Sequence, residues 1–138
     1  MVNTIDMQGL RYLSLFRKIT KLETRYCFLY NEILMFCVHK HDIPQALGRN
    51  GENLKKMSDI LKRRVRIIQI PKGIETAKQF IQAVIAPVTF KEIEITPNEL
   101  IVNAGSENKA ALLGRNKRRL NEMKTIVKDF FRVEYKVI

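Results

Sequence analysis

The sequence predicts an α+β fold built from two copies of one small unit. Three observations carry that expectation. The stretch Leu47-Gly48-Arg49-Asn50 returns as Leu113-Gly114-Arg115-Asn116, an offset of 66 residues (114 − 48), and a repeat at fixed spacing marks a duplicated unit. Hydrophobic periodicity reads the same element order in each half, α-β-β-α-α-β. In each half the repeated stretch falls between the second and third helices, where a glycine-rich turn feeds a helix start.

The first helix is expected over residues 6–21. Leu10, Leu13, Phe16 and Ile19, with Tyr12 and Leu15 beside them, recur at helical spacing and should face a core. Thr4 or Asp6 would cap its start. Residues 24–30 and 33–39 alternate with aromatic and β-branched residues and read as two strands, joined at Asn31-Glu32. The hairpin register is open, so the sequence does not say whether Cys27 and Cys37 share a face. Asp42-Ile43-Pro44-Gln45 reads as a helix start: Asp42 as N-cap, Pro44 in the first turn, Gln45 in the capping-box position. Gly48 ends that short helix. A third helix over 52–63 would bury Leu54, Met57, Ile60 and Leu61, with Lys55, Lys56, Lys62 and Arg63 outside. A strand over 65–70 closes the unit, and Pro71-Lys72-Gly73 breaks it.

The second half repeats the order. A helix over 76–85 presents Phe80, Ile81, Val84 and Ile85, and Pro87 stops it. Strands follow over 88–95 and 100–104, then a short helix capped by Asn108, a glycine turn, a helix over 118–131 and a strand over 133–138. Without gaps, the offset also aligns Met57 with Met123, Lys62 with Lys128, Arg66 with Arg132 and Ile67 with Val133. Two domains follow, 1–72 and 73–138, each so small that the two are expected to pack on each other.

Charge narrows the partner. Lys and Arg number 25 against 14 Asp and Glu in 138 residues, a net charge of +11. That excess points to a polyanion, most simply nucleic acid. Two cysteines are too few for a structural zinc site and are expected as buried thiols. No secretory signal or membrane-length apolar run is evident, so a cytoplasmic protein without membrane contact is expected. His39 and His41 beside Asp42 sketch a metal site but read as a surface pair. The glycine loop lacks the Gly-Lys-Ser/Thr ending of a nucleotide P-loop. With no catalytic constellation, the chain is read as a non-enzyme with no cofactor and no small-molecule substrate.

The element order, with Gly48-Arg49-Asn50-Gly51 between the second and third helices, resembles the prokaryotic or type II KH domain. The tandem pair resembles the archaeal NusA family, small proteins associated with transcription termination, over nearly the whole chain. KH modules hold the backbone of about four nucleotides at this loop. The resemblance therefore implies single-stranded RNA as partner, with Gly48, Arg49, Asn50 and Gly51 on its backbone. Ile43, Ala46, Leu47, Leu54 and the strand at 66–68 are candidate groove walls, and Lys55 and Arg66 add charge nearby. RNA polymerase or a transcription complex is a further candidate partner, though no dedicated polymerase-contact domain is expected.

The second loop departs from the pattern, because Lys117 stands where the closing glycine should be. A side chain there would block close approach of RNA, or disfavour the required backbone angles. Against this, Gly114, Arg115, Asn116, Lys117, Arg118 and Arg119 form a more basic loop. Two readings stay open: a second phosphate site working through charge, and a structural copy that supports the first. At the level of the molecule the alternatives are a KH-type ribosome-assembly or translation factor, and a protein-interaction adaptor whose glycine loops are turns.

Overall fold

The computed structural model describes residues 7–138. Two compact units divide at Ile70 and Pro71, and each is an α-β-β-α-α-β module of the KH type. The caps expected at Thr4 and Asp6 lie outside the described residues.

In the first unit, helix α1 (Met7–Thr20) leads to strands β1 (Cys27–Tyr30) and β2 (Ile33–Val38). The two-residue turn between them holds Asn31 and Glu32 at φ 52° and 64°, left-handed angles that match the twist of a tight hairpin. Helices α2 (Ile43–Leu47) and α3 (Glu52–Leu61) then carry the chain across to β3 (Val65–Gln69). β3 runs parallel to β2, from Leu34 opposite Val65 to Val38 opposite Gln69. A parallel neighbour requires such a crossover, and here the crossover carries the glycine loop.

One face of this sheet packs on the helices. Cys27, Leu34, Phe36 and Val38 meet Tyr12 and Phe16 of α1, Ala46 of α2 and Met57 of α3. Phe16 stacks on Phe36 with centroids 4.6 Å apart. Cys27 lies opposite Phe36 in the ladder, so strand alternation puts Cys37 on the other face. Both thiols are buried and free.

Several expectations need correction. Leu10 is 44% exposed; the buried stripe of α1 is Gly9, Tyr12, Phe16 and Thr20. Apolar residues lie on more than one side of this helix, which hides its phase. Thr20 suits the buried side because its hydroxyl donates to the Phe16 carbonyl at 2.8 Å. Ile60 is 56% exposed, and Met57 is the fully buried residue of α3. β1 starts three residues late. The Thr24 hydroxyl donates to the Cys37 carbonyl at 2.5 Å and accepts from the Tyr26 N–H at 3.2 Å, side-chain bonds that replace regular pairing there. Asp42 sits at the N-cap of α2 without a side-chain cap bond, and Gln45 donates instead to the Thr20 carbonyl of α1 at 3.0 Å.

The second unit holds α4 (Ala77–Ile85), β4 (Glu92–Ile95), β5 (Glu99–Asn103), α5 (Lys109–Leu113), α6 (Arg118–Phe131) and β6 (Glu134–Val137). Its sheet has the order β4-β5-β6, antiparallel then parallel, as in the first unit. Phe80, Ile81, Val84 and Ile85 of α4 are buried as expected. Residues 88–91 are not strand; β4 begins at Glu92. Asn108 is the N-cap residue of α5, but its amide donates to Thr89 at 3.3 Å rather than capping.

The ungapped repeat fails past the last helix. α3 has 10 residues and α6 has 14. The left-handed residue that ends each helix is Lys62 in one unit and Arg132 in the other. In the parallel ladders Leu34 faces Val65, whereas Leu100 faces Tyr135. Arg66 therefore corresponds to Lys136, and its match with Arg132, like those of Lys62 with Lys128 and Ile67 with Val133, is coincidental. Four residues make about one helical turn, so the extension keeps the buried face in phase. Among the described residues, no helix is long and apolar enough to cross a membrane.

Candidate nucleic-acid interface

The two glycine loops have the same backbone. Gly48 stands at φ 79°, ψ 173° and Gly114 at 75°, 172°. Asn50 stands at 56°, 28° and Asn116 at 56°, 29°. The fourth residue is left-handed in both, Gly51 at 72°, 19° and Lys117 at 58°, 27°. Lys117 thus adopts the angles that its side chain was expected to resist. A Cβ at Gly51 would meet nothing within 4 Å, so a side chain at this position bears the cost of the angle alone and no clash. At Gly48 the opposite holds. Its angles lie in a region open essentially to glycine alone, and a Cβ would fall 2.8 Å from Cγ of Asn53.

One internal bond closes each turn: Gly51 N–H donates to the Gly48 carbonyl, and Lys117 N–H to that of Gly114, both at 3.1 Å. Arg49 and Asn50 follow a helical-then-left-handed sequence, which points successive N–H groups into one concavity suited to an anion. Among the described residues, the backbone N–H groups of Arg49 and Asn50 meet no acceptor, and neither do those of Arg115 and Asn116. Arg49, Asn50, Arg115, Asn116, Lys117 and Arg118 are all exposed. Helices α3 and α6 begin directly after the loops, adding the positive end of a helix dipole.

The neighbouring residues are arranged differently from one another. Lys55 is exposed in the first turns of α3, while Ile43 and Leu47 are half-buried on α2. Ile43 also packs against the core, and Ala46 is fully buried within it, so Ala46 lines no groove. Val65 and Ile67 of β3 face the same core, which sends Arg66 and Ile68 to the other face of the sheet. Burial and, secondarily, the charge of Arg64 pull the Arg66 guanidinium below its ordinary pKa. It stays charged, since arginine remains protonated in proteins. Beside the second loop, Arg115, Asn116, Arg118, Asn121, Glu122 and Thr125 line an open cleft of about 600 Å³. Asn121 and Thr125 were not singled out from sequence; their spacing on one face of α6, beside the basic loop, was the available signal. His39 and His41 are exposed, with rings stacked 5.7 Å apart.

The chain is similar to archaeal proteins named probable transcription termination protein NusA. The Methanococcus vannielii protein of that name is 28% identical over 100 residues, which is 71% of this chain and 56% of that protein. The chain thus spans little more than half the length of that relative. Those of Thermoplasma acidophilum and Halococcus morrhuae are 18% and 20% identical over 134 residues, covering more than nine-tenths of each chain. The crystal structure of APE1850 shares the fold, with a TM-score of 0.67, 21% identity, and coverage of 97% of this chain and 99% of its own. No family model matches the chain.

Proposed function

We propose that this chain is a non-catalytic single-stranded RNA-binding protein acting in transcription termination or antitermination, within the transcription machinery and in the cytoplasm. The observation that carries the reading is the duplicated loop: two turns of one backbone conformation, each with two unpaired N–H groups at a basic apex. The names of the similar archaeal proteins supply the process. In the first unit, the N–H groups of Arg49 and Asn50 cradle a phosphate, and glycine at 51 lets the backbone approach. Arg49 adds direct charge, Lys55 adds flanking positive field, and Ile43 and Leu47 border the bases. In the second unit, Arg115, Lys117 and Arg118 hold phosphate by charge around the same turn, with Lys117 shielding the main chain.

The decisive variant is Gly51→Asp. Aspartate tolerates the left-handed angle, and a Cβ at this position has free space, so the fold is kept while a carboxylate enters the phosphate cradle. Fluorescence anisotropy with short single-stranded RNA pools should show binding weakened at least tenfold, in a protein that still unfolds cooperatively with only the small loss of Tm that the left-handed angle costs. Unaltered RNA binding by this variant would make the loops plain turns and leave a protein-adaptor role as the better reading.

A further inference from the structure

In each unit a side chain from the helix after the loop bonds back to the helix before it. In the first unit Asn53 Nδ2 donates to the Gln45 carbonyl at 3.1 Å. In the second, Arg119 Nη1 donates to the Ala111 carbonyl at 2.9 Å. Donors and acceptors both keep the 66-residue offset of the loops, although the donor chemistry differs.

The carbonyls involved are particular ones. An α-helix bonds the carbonyl of residue i to the N–H of residue i+4. Had α2 continued, Gln45 would accept from Arg49; had α5 continued, Ala111 would accept from Arg115. Those are N–H groups left free in the two loops. Each helix breaks at its glycine, and the side chain of the second residue of the next helix takes the vacated acceptor. The same side chain explains the glycine. A Cβ at Gly48 would lie 2.8 Å from Asn53 Cγ, and one at Gly114 would lie 2.8 Å from Arg119 Cγ.

We propose that Asn53 and Arg119 are positioning residues of the two loops: each occupies the carbonyl that would otherwise bond to Arg49 or Arg115 N–H, and so keeps that N–H turned outward for phosphate. The role in phosphate binding rests on the RNA reading above; the role in loop shape does not. It also commits one Arg119 N–H to the end of α5, while the guanidinium keeps its charge and its other donors.

The test is made on the full chain with Asn53→Leu, which removes the donor at similar size, Asn53→Ala in case leucine disturbs folding, and Asn53→Arg, which installs the second unit's solution. Amide exchange at Arg49 is read by NMR, and RNA binding by anisotropy at two salt concentrations. In the Leu or Ala variant, Arg49 exchange should slow as its N–H turns to Gln45. Affinity should fall roughly three- to tenfold, the span of one hydrogen bond. The salt slope should stay unchanged, because no charge is lost. In the Arg variant, Arg49 exchange should return to the parent rate. Unchanged exchange in both neutral variants overturns the proposal. Slowed exchange in a protein that binds no RNA would keep the loop-shaping role and sink the RNA reading instead.

Discussion

At the residue scale, the two glycines of the first loop do different work. Gly48 meets both a glycine-only backbone angle and a crowded Cα, so Gly48→Ala should cost about 2–3 kcal/mol in urea unfolding. Gly51 has a left-handed angle but open space, and Gly51→Ala should cost about 1 kcal/mol. Lys117→Gly should stabilise the protein by up to about 1 kcal/mol, relieving the angle that lysine now holds. A greater loss at Gly51 than at Gly48 would contradict this division. The sequence showed the loop and its missing glycine, but not which glycine is sterically required, because Asn53 and Arg119 decide that from the next helix. Cys37 gives a second prediction at this scale. Burial first, then the neighbouring Cys27, pushes its thiol well above the ordinary range. A thiol that ionises only when unfolded contributes stability below its unfolded pKa and loses it as pH rises. Stability should therefore fall between pH 8.5 and 10, by up to about 1.4 kcal/mol per pH unit, and Cys37→Ala should flatten that slope.

At the element scale, order and type were legible while phase and length were not. The six elements of each unit follow from period-2 and period-3.6 patterning, and the glycine turn from its wording. The buried stripe of α1 was misplaced because leucines surround a helix whose true inner face includes Gly9 and Thr20, residues that carry little hydrophobic signal. The extra turn of α6 is invisible in the sequence because an ungapped match meets chance identities at Lys128 and Arg132 and a chance similarity at Val133. That turn has a packing role. It brings in Phe130 and Phe131, whose rings lie 4.9 Å and 5.8 Å from that of Phe80 on α4. Phe80 is 3% exposed, so Phe80→Ala should cost about 3–5 kcal/mol, the usual range for deleting a buried ring. Half-buried Phe130→Ala should cost less, by thermal unfolding under the same conditions. Equal losses would mean that the extension, rather than α4, anchors this cluster.

At the scale of the whole molecule, charge is shared unevenly. Residues 1–70 carry 13 Lys and Arg against 6 Asp and Glu, net +7, and residues 71–138 carry 12 against 8, net +4. Yet the second loop is the more basic of the two, with Arg115, Lys117 and Arg118 exposed together where the first has Arg49. The two loops should therefore be separable by salt. Affinity for single strands falls with log salt by roughly 0.7 per phosphate neutralised, and removing one contacting cation removes one such increment. Arg49→Ala should lower the slope by about 0.7, and Arg115→Ala/Lys117→Ala by about 1.4. Gly51→Asp should weaken binding more than either charge deletion does at high salt, because N–H groups fixed by the fold remain bonded to phosphate after ionic screening has weakened the rest. The measurement is a salt titration of RNA affinity for the parent and these variants. A slope unmoved by Arg115→Ala/Lys117→Ala would reduce the second unit to a support for the first. The identical loop geometry would then be an inheritance of the duplication, kept by the Arg119 latch without a ligand to hold.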